Sequence, residues 1–408
     1  MKLHRTLAAT LTVATAFWLM PATAQLDEFQ GFGSPDEPAI DLSAPEIQPV
    51  ASDWLLMITA NLQSDALASS DAPDTRQQDF ELRRARISAL LDYRARWSLR
   101  AGIDVADGLD LREAAVQYQG ARWGVEFGRV VEPFGLLQAS TRGASFAERP
   151  LALALAPGYG VGTTVTAAWP AVGFAFGLYE ATGNEIFFGG RRERALTGRL
   201  HWAPVNQPES TLHFGFSQSL RVGEGDQIRF VAIPETLMLD GYNINSATFS
   251  ELGYHLSGFE LALRAGPLLL RSEYLNADVY DFQLDGANTR FQRPSFDGRY
   301  VELAYTLTGE QREYGHRQGI FSSLTPSAPI SVGGLGALEL AVRYSEVDFS
   351  NPDAGGERGE VRAIGLNWYA SPDLKLGLQY LQLEERGPNE TETADALQLR
   401  LQWLFVWI

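Results

Sequence analysis

The chain has 408 residues, a formal net charge of −17 and no cysteine. The lack of cysteine excludes a disulfide framework and thiolate chemistry, and the acidic balance argues against nucleic acid as a partner. After residue 24, no uncharged apolar run is long enough for a membrane-spanning helix, which excludes a helical membrane protein.

The first 52 residues divide into two segments that precede the predicted folded part. Lys2 and Arg5 come before an apolar run that ends at Ala22-Thr23-Ala24, which predicts a secretory signal peptide over residues 1–24. Its removal takes two positive charges away, so the net charge becomes −17 − 2 = −19. Residues 25–52 contain four prolines and six acidic residues but no basic one, which predicts a flexible acidic leader in the periplasm.

From Asp53 onward, apolar and polar residues alternate with the period of two that indicates β-strands. Five strands are predicted at 54–63, 80–91, 97–105, 116–119 and 123–127. The alternation stops over residues 131–162, where glycines, prolines and the charges of Arg142, Glu148 and Arg149 replace it. A connection of this length is usually functional, and we predict that it folds inward and narrows a pore.

Eleven further strands are predicted after this loop. They centre on 165–169, 174–178, 196–202, 212–216, 259–265, 268–274, 301–307, 338–344, 364–368, 374–380 and 397–407. The total of about sixteen is even, as bacterial outer-membrane barrels require. Short links such as Gly266-Pro267 alternate with long ones such as 221–246 and 310–335, which we predict to be outer loops.

The last strand indicates the surroundings of the apolar face. Leu397, Leu399 and Leu401 share a face with terminal aromatic residues, opposite Gln398 and Arg400. This pattern fits lipid contact, and together with the signal peptide and the strand count it favours an all-β transmembrane antiparallel barrel over residues 53–408. A β-sandwich or a soluble barrel would bury the same face, and periodicity alone does not distinguish these folds.

If the apolar face contacts lipid, the polar face lines a lumen whose charges set selectivity. Eleven arginines have this phase: Arg84, Arg86, Arg96, Arg100, Arg122, Arg199, Arg221, Arg264, Arg271, Arg343 and Arg400. Seven carboxylates share it: Asp104, Glu113, Glu126, Glu260, Glu273, Glu302 and Glu339. The surplus of arginine predicts a path for anions, because guanidinium groups bind phosphate and carboxylate in a bidentate manner. The alternative is that opposite charges across the wall neutralise each other.

Residues for catalysis or metal binding are sparse. His201, His213, His255 and His316 are scattered along the chain, so we predict no metal site and no cofactor. His201 and His213 have the polar phase of neighbouring strands, which leaves a serine–histidine hydrolase as a less favoured alternative.

Six segments together resemble the phosphate-selective porin O and P family of Gram-negative outer membranes. They are Phe80–Arg86, Glu132–Leu136, Phe146–Arg149, Tyr300–Glu310, Leu366–Tyr369 and Leu399–Gln402. The combination of Pro133-Phe134-Gly135-Leu136 with Thr306-Leu307-Thr308-Gly309-Glu310 is the most specific part of the resemblance.

The resemblance implies a homotrimer of sixteen-stranded barrels, each with its third outer loop folded into the lumen. By position, Arg83 and Arg84 resemble the family's paired wall arginines, and Arg149 resembles its loop arginine after glutamate. Ser140, Thr141 and Arg142 resemble a cluster of hydroxyl groups and a cation. The predicted pore-lining set is Arg83, Arg84, Arg86, Arg100, Ser140, Thr141, Arg142, Arg149, Arg199, Arg264, Arg271 and Arg343.

From the residues and the resemblance we expect a porin in contact with outer-membrane lipid. Its role would be passive diffusion of small anionic solutes, such as phosphate or polyphosphate, without enzymatic activity. A general porin without anion preference is the alternative.

Overall fold

The computed structural model describes residues 53–69, 80–137, 143–182, 192–223, 227–239, 242–250, 253–280, 283–284, 294–351 and 355–408. The predicted signal peptide and acidic leader, residues 1–52, lie outside these ranges. Within them, no helix combines the length and the apolar composition needed to cross a membrane.

Sixteen antiparallel strands form one closed barrel. Successive barrel strands pair with each other, and the first pairs with the last to close the sheet. The strands are β1 (Trp54–Ser69), β2 (Phe80–Tyr93), β3 (Trp97–Asp104), β4 (Asp110–Gln119), β5 (Trp123–Val131), β6 (Tyr159–Ala168), β7 (Val172–Thr182), β8 (Arg192–Gln207), β9 (Ser210–Val222), β10 (Gly253–Ala265), β11 (Leu268–Tyr280), β12 (Ser295–Thr306), β13 (Ala337–Asp348), β14 (Arg358–Ser371), β15 (Leu374–Arg386) and β16 (Thr391–Trp407). The predicted fold class and strand number are confirmed.

The barrel wall is apolar outside and polar inside. On β16, Leu397, Leu399 and Leu401 are 40–45% exposed, whereas Gln398 and Arg400 are buried towards the lumen. Apolar side chains that project outward from a closed sheet require lipid around them. A soluble sandwich or barrel, which needs this face inside a core, does not fit the observed pattern.

An aromatic girdle lies at one end of the barrel, here named the terminal end, where β1 begins and β16 ends. Rings of adjacent strands contact each other there, with centroids 4.5 Å apart for Trp54 and Tyr93 and 4.9 Å apart for Trp97 and Tyr118. The girdle continues through Trp123, Trp169, Trp202 and Trp403. Aromatic belts of this kind lie at a membrane–water interface.

At this terminal end, links of two or three residues join the strands, with one exception. The exception is residues 307–336, named segment C, which contain short strands at Tyr314–Gly315 and Ile320–Phe321 and a 3₁₀-helix at Ile330–Val332. The prediction that 310–335 form an outer loop is wrong, because β12 ends and β13 begins at the terminal end. Length suggests an outer loop, but strand direction alternates and decides on which side a connection lies.

Among the described residues, parts of two connections at the opposite end fold into the barrel. Loop A, residues 132–158, joins β5 to β6 and contains the 3₁₀-helix Leu151–Leu155. Loop B, residues 223–252, joins β9 to β10. Further two-residue strands at this end are Gln227–Ile228, Val231–Ala232, Ile244–Asn245, Phe249–Ser250 and Gln283–Leu284. Loop A confirms the inward-folding prediction, although it is shorter than 131–162 because β6 begins at Tyr159.

The described parts of loops A and B build an apolar core inside the lumen. Its members include Phe134, Phe146, Leu151, Leu155, Phe230, Ile244, Phe249, Phe296 and Phe349. The rings of Phe230 in loop B and Phe296 in β12 meet edge to face, with centroids 5.5 Å apart. Complete burial of one such side chain contributes about 1.5–3 kcal/mol, so this core holds both loops against the wall of β10–β16.

Candidate functional site

The wall arginines face the lumen in the register that the alternation predicts. Nine of them are buried: Arg84, Arg86, Arg100, Arg199, Arg221, Arg264, Arg271, Arg343 and Arg400. Arg96 and Arg122 differ, because they lie in exposed turns at the terminal end, after β2 and β4 have ended.

Several of these arginines form ion pairs with carboxylates of the wall or, for Arg221, with Glu132 at the start of loop A. The pairs are Arg86–Asp104 (2.8 Å), Arg100–Glu113 (2.9 Å), Arg199–Glu260 (2.6 Å), Arg221–Glu132 (2.9 Å) and Arg343–Glu302 (2.7 Å). Glu302 lies opposite both Arg271 and Arg343 on the adjacent strands and contacts both. Removing one partner would leave a buried charge without compensation. At these positions, the alternative of neutralisation across the wall is correct.

Arg271 and Arg343 also bind the backbone of loop A. Arg271 Nη1 donates to the carbonyl oxygen of Gly143 at 2.8 Å, and Arg343 Nη1 donates to that of Glu148 at 2.9 Å. Asn367 Nδ2 donates to the carbonyl oxygen of Ser145 at 2.6 Å. These contacts position residues 143–148 against the wall, which differs from the predicted role of both arginines as pore-lining groups.

The beginning of loop A is held by Glu273 of β11. Its carboxylate accepts hydrogen bonds from the backbone N–H groups of Leu136 (2.8 Å) and Leu137 (3.0 Å). The hydroxyl group of Tyr300 donates a third bond at 2.7 Å. These three donors, two of which belong to the loop backbone, anchor the start of loop A to β11.

Arg199 and Arg264 bind segment C, which enters the lumen from the terminal end. Arg199 donates to the carbonyl oxygens of Gln318 (2.5 Å) and Gly319 (2.9 Å). Arg264 Nη1 donates to the carbonyl oxygen of Arg312 at 2.8 Å. Both arginines therefore hold this segment in place, in contrast to their predicted pore-lining role.

The two histidines of β8 and β9 also contact segment C. His213 Nδ1 lies 2.7 Å from the Tyr314 hydroxyl group, and its Nε2 lies 3.0 Å from Glu260. His201 Nε2 lies 2.9 Å from the carbonyl oxygen of His316. The nitrogens of His213 thus face a phenol and a carboxylate, whereas the hydrolase alternative requires a serine.

In loop A, guanidinium groups from β2 and β16 surround Glu148. Its carboxylate lies 2.9 Å from Arg83 Nε, 2.6 Å from Arg400 Nη2 and 4.0 Å from Arg84 Nη2. Burial opposes ionisation of Glu148, but the three guanidinium groups together hold its pKa well below the usual range. Glu148 is therefore ionised at neutral pH.

A cavity separates this part of loop A from strands β1, β2 and β14–β16. Among the described residues, its ionisable lining consists of four basic residues, Arg84, Arg149, Lys375 and Arg400, and one carboxylate, Glu148. The neutral polar lining consists of Gln63, Ser145, Asn367, Gln379 and Gln402. Burial, aided by the nearby Arg84, lowers the pKa of Arg149 to about 10, which leaves it charged at neutral pH.

Lys375 and Arg400 are absent from the predicted pore-lining set. Arg400 has the predicted lumen phase, and Lys375 could have been found by the same signal, because it shares the inward phase of β15 with Gly377 and Gln379. Of the predicted set, Arg83, Arg84 and Arg149 come together near Glu148. Ser140, Thr141 and Arg142 lie outside the described residues.

Comparison with known proteins gives a family and two relatives. The profile of the family described as phosphate-selective porin O and P matches residues 57–405. Porin O of Pseudomonas aeruginosa is 25% identical over 350 residues, which cover 77% of this chain and 78% of that protein. An uncharacterized protein of Caulobacter vibrioides is 38% identical over 103 residues, which cover 25% of this chain and 20% of that protein.

Two solved structures have a similar barrel. The anion-selective porin from Comamonas acidovorans has a TM-score of 0.51 and 12% identity, covering 86% of this chain and all of that one. The trimer form of in-vitro folded OmpT, an outer membrane protein of Vibrio cholerae, has a TM-score of 0.51 and 11% identity, covering 87% of this chain and all of that one. At these identities the likeness shows the fold alone.

The family profile begins within β1 and ends within β16, so it overlaps every strand of the barrel and includes the sequence of loop A and segment C. The chain therefore belongs to the phosphate-selective porin O and P family and is a porin of the Gram-negative outer membrane.

Proposed function

We propose that small anions diffuse through this porin along the cavity between loop A and the wall. The observation that carries the proposal is the lining, in which Arg84, Arg149 and Lys375 outnumber the carboxylate Glu148, whereas Arg400 is also paired with Asp65. The family description, which names phosphate, and the anion selectivity of the Comamonas porin support the same class of solute. Passive diffusion needs no cofactor and no catalytic group.

Charges in such a lining are strong enough to decide selectivity. Two unit charges 4 Å apart interact by about 4 kcal/mol at an effective permittivity near 20, before salt screens them. If about 1.4 kcal/mol of this interaction energy is left after screening, it changes an equilibrium constant tenfold. A surplus of fixed cations in the cavity is thus sufficient to favour anions over cations.

The paired wall arginines limit where selectivity arises. Arg86, Arg100, Arg199 and Arg343 are neutralised by adjacent carboxylates and do not form a continuous ladder of positive charge. The proposal therefore assigns anion preference to the cavity, with Arg83, Arg84 and Arg149 of the predicted set contributing to it. Ser140, Thr141 and Arg142 are proposed as further contributors from loop A.

The functional unit is proposed to be a homotrimer of such barrels. The trimer form of OmpT has a similar barrel, and the family resemblance implies the same assembly. Native mass spectrometry of the purified porin in mild detergent should give three times the mass of one chain, and a single-chain mass under conditions that preserve folded barrels would contradict this.

Reversal potentials in planar bilayers with a potassium chloride gradient test the proposed function. The wild type should show the sign of an anion-selective channel, and Arg84→Gln with Arg149→Gln should move the potential towards zero. The matched control is Arg94→Gln with Arg96→Gln, which removes two charges from an exposed turn at the terminal end. Cation selectivity of the wild type would overturn the proposal, and a potential near zero would favour a general porin.

A further inference from the structure

The carboxylate of Glu148 has the surroundings that a bound oxyanion would have. Arg83 approaches it with two nitrogens, Nε to Oε1 at 2.9 Å and Nη2 to Oε2 at 3.4 Å. Arg400 Nη2 lies 2.6 Å from Oε1. Guanidinium groups use this same fork geometry to bind carboxylate and phosphate groups. We propose that Glu148 occupies an oxyanion-binding position of the cavity and competes there with oxyanion solutes.

Neutralising Glu148 would release donors that now contact it. Arg400 keeps a second partner, because Asp65 accepts hydrogen bonds from its Nε at 2.6 Å and its Nη2 at 2.5 Å. Arg84 donates to the uncharged amide oxygen of Gln63 at 3.2 Å. Without the Glu148 charge, the positive charge that faces the cavity rises by one unit and the Arg83 fork is open to an arriving anion.

The backbone around Glu148 is fixed independently of its side chain. The N–H group of Ala147 donates to Gln379 Oε1 at 2.9 Å, and the carbonyl oxygen of Ala147 accepts from Arg400 Nη1. The carbonyl oxygen of Glu148 accepts from Arg343 Nη1 at 2.9 Å. A solute can therefore displace the carboxylate by rotation of the Glu148 side chain while loop A stays in place.

The competition defines the class of solute. The inference rests on the proposed function, since it requires that anions enter this cavity. An anion that displaces a carboxylate from two guanidinium groups needs at least two oxygens in the same plane and a charge no smaller than that of the carboxylate. Inorganic phosphate meets both requirements, whereas chloride has the charge but only one atom to offer to the guanidinium fork. Glu148 thus lowers the affinity for oxyanions and keeps them moving through the channel.

Block of the chloride current by inorganic phosphate tests the inference. Purified wild type, Glu148→Gln and Glu148→Asp are compared in planar bilayers, with Glu390→Gln as the control that removes one carboxylate from the exposed link between β15 and β16. Glu148→Gln should lower the half-blocking phosphate concentration at least tenfold, which corresponds to about 1.4 kcal/mol. Glu148→Asp and Glu390→Gln should stay within about threefold of the wild type, which is less than 1 kcal/mol.

The outcomes separate this inference from the proposed function. A half-blocking concentration of Glu148→Gln within twofold of the wild type, in an anion-selective channel, would overturn the inference alone. A cation-selective wild type would overturn the proposed function. If Glu148→Gln yields no heat-modifiable barrel on electrophoresis, Glu148→Ala replaces it with the same expected change, because the three backbone contacts do not require the carboxylate.

Discussion

Lys375 Nζ lies 3.1 Å from the carbonyl oxygen of Ala144, and this hydrogen bond joins the barrel wall to loop A. The ammonium group also lies 5.1 Å from the centroid of the Tyr369 ring, a cation–π distance. Lys2 and Lys375 are the two lysines of the chain. The lysine of the barrel is thus placed at the cavity, which it lines while it also holds the loop.

Replacing Lys375 by glutamine should reduce anion selectivity. The substitution removes one of the four basic residues of the cavity, so the reversal potential in a potassium chloride gradient should move towards zero. Lys375→Arg should keep most of the selectivity, because the charge is retained. Equal potentials for Lys375→Gln and the wild type would show that Lys375 acts on the loop alone.

Replacing Glu273 by glutamine should loosen the start of loop A. The amide keeps one acceptor oxygen for two backbone N–H groups, and a buried donor without a partner costs about 1–3 kcal/mol. Single-channel recordings should show a larger and noisier conductance. Tyr300→Phe removes the third donor to the same carboxylate and leaves both backbone bonds, so its effect should be much smaller.

Replacing Asp65 by asparagine should weaken the seam between β1 and β16. Asp65 and Arg400 form a buried ion pair across this seam, and loss of one partner should cost about 3 kcal/mol, because Arg400 keeps Glu148. The temperature at which the folded band disappears on electrophoresis should fall by several degrees. Asp53→Asn, which removes an exposed pair with Arg94, should leave that temperature unchanged.

Replacing Gly319 by alanine should displace segment C. Gly319 has φ of 66° in the left-handed region, and a Cβ atom there would collide with the ring of His201. The matched control is Gly309→Ala, since Gly309 has φ of 98° but open space where its Cβ would lie. Gly309→Ala should lose about 1–2 kcal/mol of stability from its backbone conformation, whereas Gly319→Ala should lose more and should also change the conductance.

The stability that the Glu148 ion pairs contribute should depend on pH only in the acidic range. A carboxyl group with a depressed folded-state pKa contributes stability above its unfolded pKa and loses this contribution as pH falls through the folded value. The difference in melting temperature between wild type and Glu148→Gln should therefore be constant from about pH 7 to about pH 5 and shrink only at lower pH. A difference that already shrinks near neutral pH would contradict the assigned ion pairs.

Strand positions were predictable because each strand has lipid on one side and the polar lumen on the other, so its residues alternate between apolar and polar. The alternation on β16 identifies the lipid face and the lumen face and places Arg400 inside, and the same alternation on β2 and β11 places Arg84 and Arg271 inside. Ion pairing was less accessible, because Glu302 meets Arg271 and Arg343 only through the register of three strands. The anchoring of loop A by Glu273 depends on backbone groups, which leave no trace in residue identity.

The location of segment C was not predictable from its length. The side of the membrane on which it lies is set by the number of strands before it, so an error of one strand in the predicted count assigns it to the wrong side. The apolar core of loops A and B could not be predicted from the sequence for another reason. Phe134 and Phe230 have no strand periodicity around them, and their burial depends on walls contributed by distant strands.

The seam contact between Asp65 and Arg400 also has a consequence for how the barrel is assembled. The two residues are 335 positions apart, so the sheet closes only after nearly the whole chain has been synthesised. Loop A is bound by side chains of β11, β13 and β14, so these contacts do not depend on the closing pair of β1 and β16. Contacts of such long sequence separation make folding slow. Until closure, the unpaired edges of β1 and β16 are open to pairing with other chains, and this interval is the vulnerable stage in the life of the porin.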